Sequence, residues 1–76
     1  MLIGVPKEIK NHEYRVGMAP ASVREAIKHG HQVIVEKDAG LGIGVTDSEY
    51  AAVGAEVVEA AAEIFKRADM VVKVKE

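Results

Sequence analysis

Short apolar runs alternate with stretches of helical spacing along the whole chain, and that alternation restricts the fold more than any other feature. Leu2-Ile3-Gly4-Val5 is an apolar run closed by Pro6, which reads as a buried strand. Pro20 suits the first turn of a helix, Val23, Ala26 and Ile27 recur at helical spacing, and Gly30 reads as the stop. Gln32 to Glu36 (QVIVE) has three β-branched residues in a row, the mark of a strand buried on both faces in a parallel sheet. Thr46-Asp47-Ser48-Glu49 is a capping box opening a short helix that ends at Gly54. Glu56-Val57-Val58 is a brief strand, Ala60 to Arg67 a helix with Ala61, Ile64 and Phe65 on one face, and Met70 to Val74 the last strand. The order β-α-β-α-β-α-β predicts an α/β fold: an open, mostly parallel sheet of about four strands flanked by helices, with right-handed crossovers.

The last strand is apolar enough to be central, yet no helix follows to cover it, so the sheet is expected to be incomplete at its C-terminal edge. A piece of a longer polypeptide is the simpler expectation; a partner supplying the missing layer is the other. With 76 residues, no Trp and a single Phe, the chain holds at most one small domain and a thin core. Net charge is −2 with scattered lysines, which gives no reason to expect nucleic acid. The apolar runs are far too short for a membrane span, there is no signal-like start, and there is no cysteine. A soluble cytoplasmic protein is expected.

In an open parallel sheet, ligands bind beyond the carboxyl ends of the strands, where strand order reverses. If the first strand has the second on one side and the last on the other, the reversal lies between Val5 and Val74. Arg15 is in the long loop from Lys7 to Ala19 that leaves the first strand; Lys73 and Lys75 are at the carboxyl end of the last. An arginine and a lysine reaching over strands about 4.8 Å apart can hold one small anion. From composition and spacing alone, a solvated Arg15, or one paired with Glu13, competes with this reading, as does an exposed strand end kept soluble by Lys73 and Lys75.

Other constellations are weaker. Gly40-Leu41-Gly42-Ile43-Gly44 is GxGxG, one residue short of the dinucleotide fingerprint, and follows the second strand instead of the first. It reads as a flexible surface loop. His12, His29 and His31 do not make a metal-ligand set, and no Ser-His-Asp or paired-carboxylate arrangement can be argued from the sequence.

Three stretches, IGVPKEIKNHEYRVGMAP, GHQVIVEKDAGLGIGVTDSEYAAVGAEVV and ADMVVKVKE, resemble alanine dehydrogenases over essentially the whole chain. The resemblance implies that residues 1–76 are the N-terminal portion of a substrate domain, a Rossmann-like unit built from both ends of a longer dehydrogenase. The parent would interconvert L-alanine with pyruvate and ammonium using NAD, as a homo-hexamer. NAD would sit in a second domain, and the acid/base residues would lie beyond Glu76. The family's substrate arginine falls in the motif formed by Asn11, with His12 intervening, then Glu13, Tyr14, Arg15 and Val16. Its substrate lysine falls in Lys73-Val74-Lys75-Glu76 and selects Lys75 over Lys73. The α subunit of the proton-translocating nicotinamide nucleotide transhydrogenase, where the domain is a non-catalytic structural module, is the alternative; Tyr14 and Lys75 favour alanine dehydrogenase. Lysine-forming saccharopine dehydrogenases share the architecture more remotely.

Overall fold

The computed structural model describes residues 1–8 and 16–73 of the 76-residue chain. Four strands alternate with helices: β1 (Leu2–Val5), α1 (Pro20–Lys28), β2 (Gln32–Glu36), a 3-10 turn (Leu41–Ile43), α2 (Asp47–Ala52), β3 (Glu56–Val58), α3 (Ala61–Arg67) and β4 (Met70–Val71). All pairings are parallel, and the strand order is β3-β2-β1-β4. The expected open α/β sheet is therefore present.

Alternation along the strands sorts the core onto two faces. Ile3 and Val5 of β1, with Val33 and Val35 of β2, pack with Val23 of α1 and Tyr50 of α2. Ile34 turns the other way and packs with Val58 and Ile64, the one buried residue of α3. The run Val33-Ile34-Val35 is thus buried on both faces, as its β-branched residues predict. Gly4 lies on the α3 side. A Cβ there would fall 2.6 Å from Ile64 Cγ2 and 2.8 Å from the Ala68 Cβ, so the missing side chain is what lets α3 sit down on β1.

The helix stops follow the sequence signals. Gly30 has φ 92°, the His31 N–H donates to the Ala26 carbonyl, and the Gly30 N–H donates to that of Ile27. The same pattern ends α2, where Gly54 has φ 103° and the Ala55 N–H donates to the Tyr50 carbonyl. Both are Schellman closures, in which a left-handed residue turns the chain so that the last carbonyls are satisfied. At the start of α2 the Thr46 hydroxyl accepts from the Glu49 N–H at 3.3 Å.

Three details differ from expectation. Among the described residues β4 spans only Met70–Val71, beside β1 at the end of the strand order; Val72 still donates to the Gly4 carbonyl at 2.9 Å, while Val74 lies outside the described residues. Ala60 is the N-cap of α3 and not its first turn. Phe65 does not share the buried face of Ile64 but is 56% exposed, because a seven-residue helix lying on a short sheet presents only a narrow stripe to it.

Candidate functional site

Strand order places the reversal where β1 has β2 on one side and β4 on the other. The crevice at the carboxyl ends of β1 and β4 is therefore the site that an open parallel sheet offers to a ligand. Arg15 and Lys75 lie outside the described residues, as do Asn11, Glu13 and Tyr14. Lys73 is described and exposed at the far end of β4.

The segments that flank the two proposed cations come together. Gly17 packs so closely on the chain leaving β4 that a Cβ there would collide with the carbonyl of Val72 and lie 3.2 Å from the Lys73 nitrogen. The backbone two residues after Arg15 thus touches the backbone two and three residues before Lys75. Val16, Met18 and Val72 are half-buried against the same core.

Two side chains hold the limbs of the long loop. On the outgoing limb, β1 ends at Val5 and Pro6 has no N–H, so the Lys7 N–H is the first donor past the strand. It donates to Glu36 Oε1 at 2.7 Å. On the returning limb, the Tyr50 hydroxyl donates to the Met18 carbonyl at 2.8 Å. Burial, and after it the Asp47 carboxylate, push the Tyr50 phenol above its ordinary range, so it stays a proton donor. Sequence pattern assigns neither residue a role. Glu36 ends an apolar strand and Tyr50 sits within a short helix, and their partners lie 29 and 32 residues away with no local signal linking them.

At the other end of the sheet, the Leu2 N–H donates to Asp69 Oδ2 and the Asp69 N–H donates to the Leu2 carbonyl, at 2.9 and 2.7 Å. A cleft of about 310 Å³ opens there, lined by Leu2, His31, Gln32, Glu56 and Arg67 among others. Arg67 grips Glu56 through two hydrogen bonds of 2.8 and 3.1 Å, so its charge is already answered. The cleft also sits at the amino ends of the strands, the wrong end for a switch-point ligand.

The glycine stretch forms a 3-10 turn at the surface, with Leu41 to Gly44 exposed. The Ile43 and Val45 N–H groups donate to the Gly40 carbonyl, and the Asp38 N–H donates to Asp47 Oδ1 at 2.9 Å. A Cβ on Gly40 would meet the Val45 Cβ at 2.8 Å and the Tyr50 ring at 2.9 Å. Gly40 therefore faces the interior and does not open toward a pyrophosphate. The described residues contain no cluster of three or more His, Cys, Asp or Glu that suits a metal. No helix among them is long and apolar enough to cross a membrane.

A parallel sheet with helices on both faces and one reversal of strand order is a Rossmann-like α/β unit. Within that class the chain belongs to the family described as alanine dehydrogenase/PNT, N-terminal domain, whose model matches residues 4–76. It is 57% identical over all 76 residues to an alanine dehydrogenase of Methanococcus maripaludis, covering 20% of that protein. It is 51% identical to that of Staphylococcus saprophyticus, again over the whole chain and 20% of the relative. A solved L-alanine dehydrogenase superposes with a TM-score of 0.92 at 52% identity, and a transhydrogenase from Sinorhizobium meliloti with 0.87 at 37%. Each superposition covers 96% of this chain and 20% of the other. The chain thus spans about a fifth of the length of the relatives it matches.

Proposed function

We propose that this chain is the N-terminal portion of the substrate domain of an alanine dehydrogenase, and that Arg15 and Lys75 hold the substrate over the β1–β4 crevice. The observation that carries the reading is the meeting of the two flanking segments, Gly17 against Val72 and Lys73, at the reversal of strand order. Arginine's planar fork suits the carboxylate of L-alanine or pyruvate. Lys75, a point charge, sits by the carbonyl or amine carbon and stabilises negative charge that develops on the carbonyl oxygen. Each charge-assisted hydrogen bond contributes about 1.5–3 kcal/mol.

The parent reaction is the reversible NAD-dependent oxidation of L-alanine to pyruvate and ammonium. NAD supplies the hydride acceptor from a second domain, and the acid/base groups come from outside these residues, so the 76-residue chain alone is inactive. The parent is a cytoplasmic homo-hexamer. Similarity to the transhydrogenase favours a second reading, a non-catalytic assembly module; the higher identity and TM-score of the L-alanine dehydrogenase favour the first.

A chimera in which residues 1–76 replace the matched fifth of the Methanococcus maripaludis enzyme tests the site. Arg15→Ala is expected to raise the KM for pyruvate about tenfold or more, and Lys75→Ala to depress kcat as well. Unaltered kinetics in both variants would remove the assignment. A chimera that assembles but never turns over alanine would favour the assembly module.

A further inference from the structure

We propose that the flank of α3 formed by Ala61, Phe65 and Ala68, with Val71 of β4 beside it, docks the apolar face of a helix that follows Glu76 in the same polypeptide. The inference rests on the reading of this chain as a portion of a longer protein. The residues of α3 divide by angle, since each step turns about 100° around the helix axis. Ile64 points into the sheet and is fully buried. Arg67 reaches down on one side to Glu56 of β3, with Glu63 one turn before it. Phe65 lies as far round from Ile64 as Glu63 does, in the opposite sense, so it faces away from β3. Ala61 and Ala68 share its side, and the closeness of the Ala68 Cβ to Gly4 of β1 fixes that direction. Phe65 is 56% exposed there, flanked by two alanines small enough for another backbone to approach. Val71 of β4 points to the same face of the sheet and packs against the cluster of Ile34, Val58 and Ile64.

Strand order selects the occupant. While the chain steps from β1 to β2 to β3, α1 and α2 cover one face; where it steps back across to β4, α3 covers the other. One hand of crossover produces both placements. A step onward from β4, whose outer side carries no strand among the described residues, keeps the second direction, so its connecting helix falls on the α3 face. A step back beyond β3 would put that helix on the α1 and α2 face and leave Phe65 bare. Spacing agrees with the onward step. Packed helices lie about 8–10 Å apart and neighbouring strands about 4.8 Å. Because α3 touches β1, β2 and β3, a helix beside it stands two strands further along, over β4 and against Phe65. The chain covers 20% of the alanine dehydrogenases it matches, which leaves ample polypeptide to supply such a helix.

The chimera with the Methanococcus maripaludis enzyme tests this, because it restores a chain after Glu76. A photoreactive phenylalanine analogue at position 65 is expected to cross-link, within one polypeptide, to residues soon after Glu76. Phe65→Cys is expected to react with a maleimide at least about tenfold more slowly than Lys66→Cys, whose position is exposed one step round the helix, and the two rates should converge in denaturant. The cross-link keeps the ring, so it reads the contact even where the cysteine variant fails to assemble. Cross-links to a second subunit, or equal labelling rates with no cross-link, overturn the proposal. Turnover of alanine is scored separately. An active chimera whose Phe65→Cys variant labels as fast as Lys66→Cys refutes the docking and leaves the proposed function standing; a protected position 65 in an assembled but inactive chimera does the reverse.

Discussion

The Tyr50 hydroxyl donates to the Met18 carbonyl at 2.8 Å, joining α2 to the limb that enters α1 across 32 residues of sequence. Tyr50 is fully buried and is the largest fully buried side chain in the core. Its ring closes the space under Gly40 while its hydroxyl satisfies a carbonyl that the helix cannot reach. Tyr50→Phe keeps the packing and deletes the bond. The expected loss is about 1 kcal/mol, with the denaturant midpoint falling at an unchanged slope.

The same phenol ties stability to alkaline pH. Burial first and Asp47 second hold its pKa above 10.0, so the folded chain keeps this proton more tightly than the unfolded chain does. That contribution is whole below the unfolded value and is lost as pH climbs through the raised one. The expected result is a phenolate absorbance titration for Tyr50 displaced upward from a free tyrosine, and a shallower alkaline loss of stability in Tyr50→Phe. A Tyr50 that titrates like a free phenol would contradict the buried hydroxyl.

Gly4 predicts a steric result. Gly4→Ala forces its new methyl within 2.6 Å of Ile64 Cγ2 and 2.8 Å of the Ala68 Cβ, so α3 must lift from β1. Overpacking of this kind costs about 1–3 kcal/mol. Because Ile64 is the one buried residue of α3, the helix has little else to hold it. Loss of helicity and a lower melting midpoint are the measurements; a neutral Gly4→Ala would mean that α3 does not rest on β1 this closely.

Much of this architecture is legible in the residues, and the reasons are local. Gly30 and Gly54 stop their helices because only a residue free of Cβ strain takes their left-handed φ, and Val33-Ile34-Val35 announces a two-sided strand because no other environment buries all three. What is not legible depends on tertiary contact. Phe65 and Ile64 are neighbours of equal apolar character, and only the angle of α3 on the sheet decides which is buried. The close packing of Val45 and Tyr50 against Gly40 leaves no record in the glycine spacing. Glu36 and Tyr50 give no signal of their roles, since each acts on a backbone group far along the chain. The crevice follows from strand order, but the choice of Lys75 over Lys73 comes from family resemblance and not from geometry.

Thr46 is a smaller but cleaner test of the α2 start. Its hydroxyl accepts from the Glu49 N–H, covering one of the donors that a helix leaves open, and α2 is six residues long. Thr46→Ala is expected to cost about 1 kcal/mol, and Thr46→Ser to cost less than Thr46→Ala. Since α2 carries Tyr50, the Ala variant should also weaken protection of the Met18 limb in hydrogen exchange.

The Glu56–Arg67 pair makes the last prediction, one of sign and not of size. Arg67 donates through two nitrogens to the two carboxylate oxygens, at 2.8 and 3.1 Å, with Glu63 a further 3.8 Å partner on the same helix. That hydrogen bonding, with the cation's attraction adding to it and partial desolvation opposing, holds the Glu56 carboxyl below its ordinary range. A depressed carboxylate stabilises the fold above its unfolded pKa, and the effect disappears as pH falls through the folded one. Arg67→Met should therefore return the Glu56 titration, followed by carboxyl carbon NMR, to the ordinary glutamate range. High salt should shift the parental titration in the same direction, because an exposed pair is screened. A Glu56 that titrates identically with and without Arg67 would show that the two-pronged contact between β3 and α3 does not persist in solution.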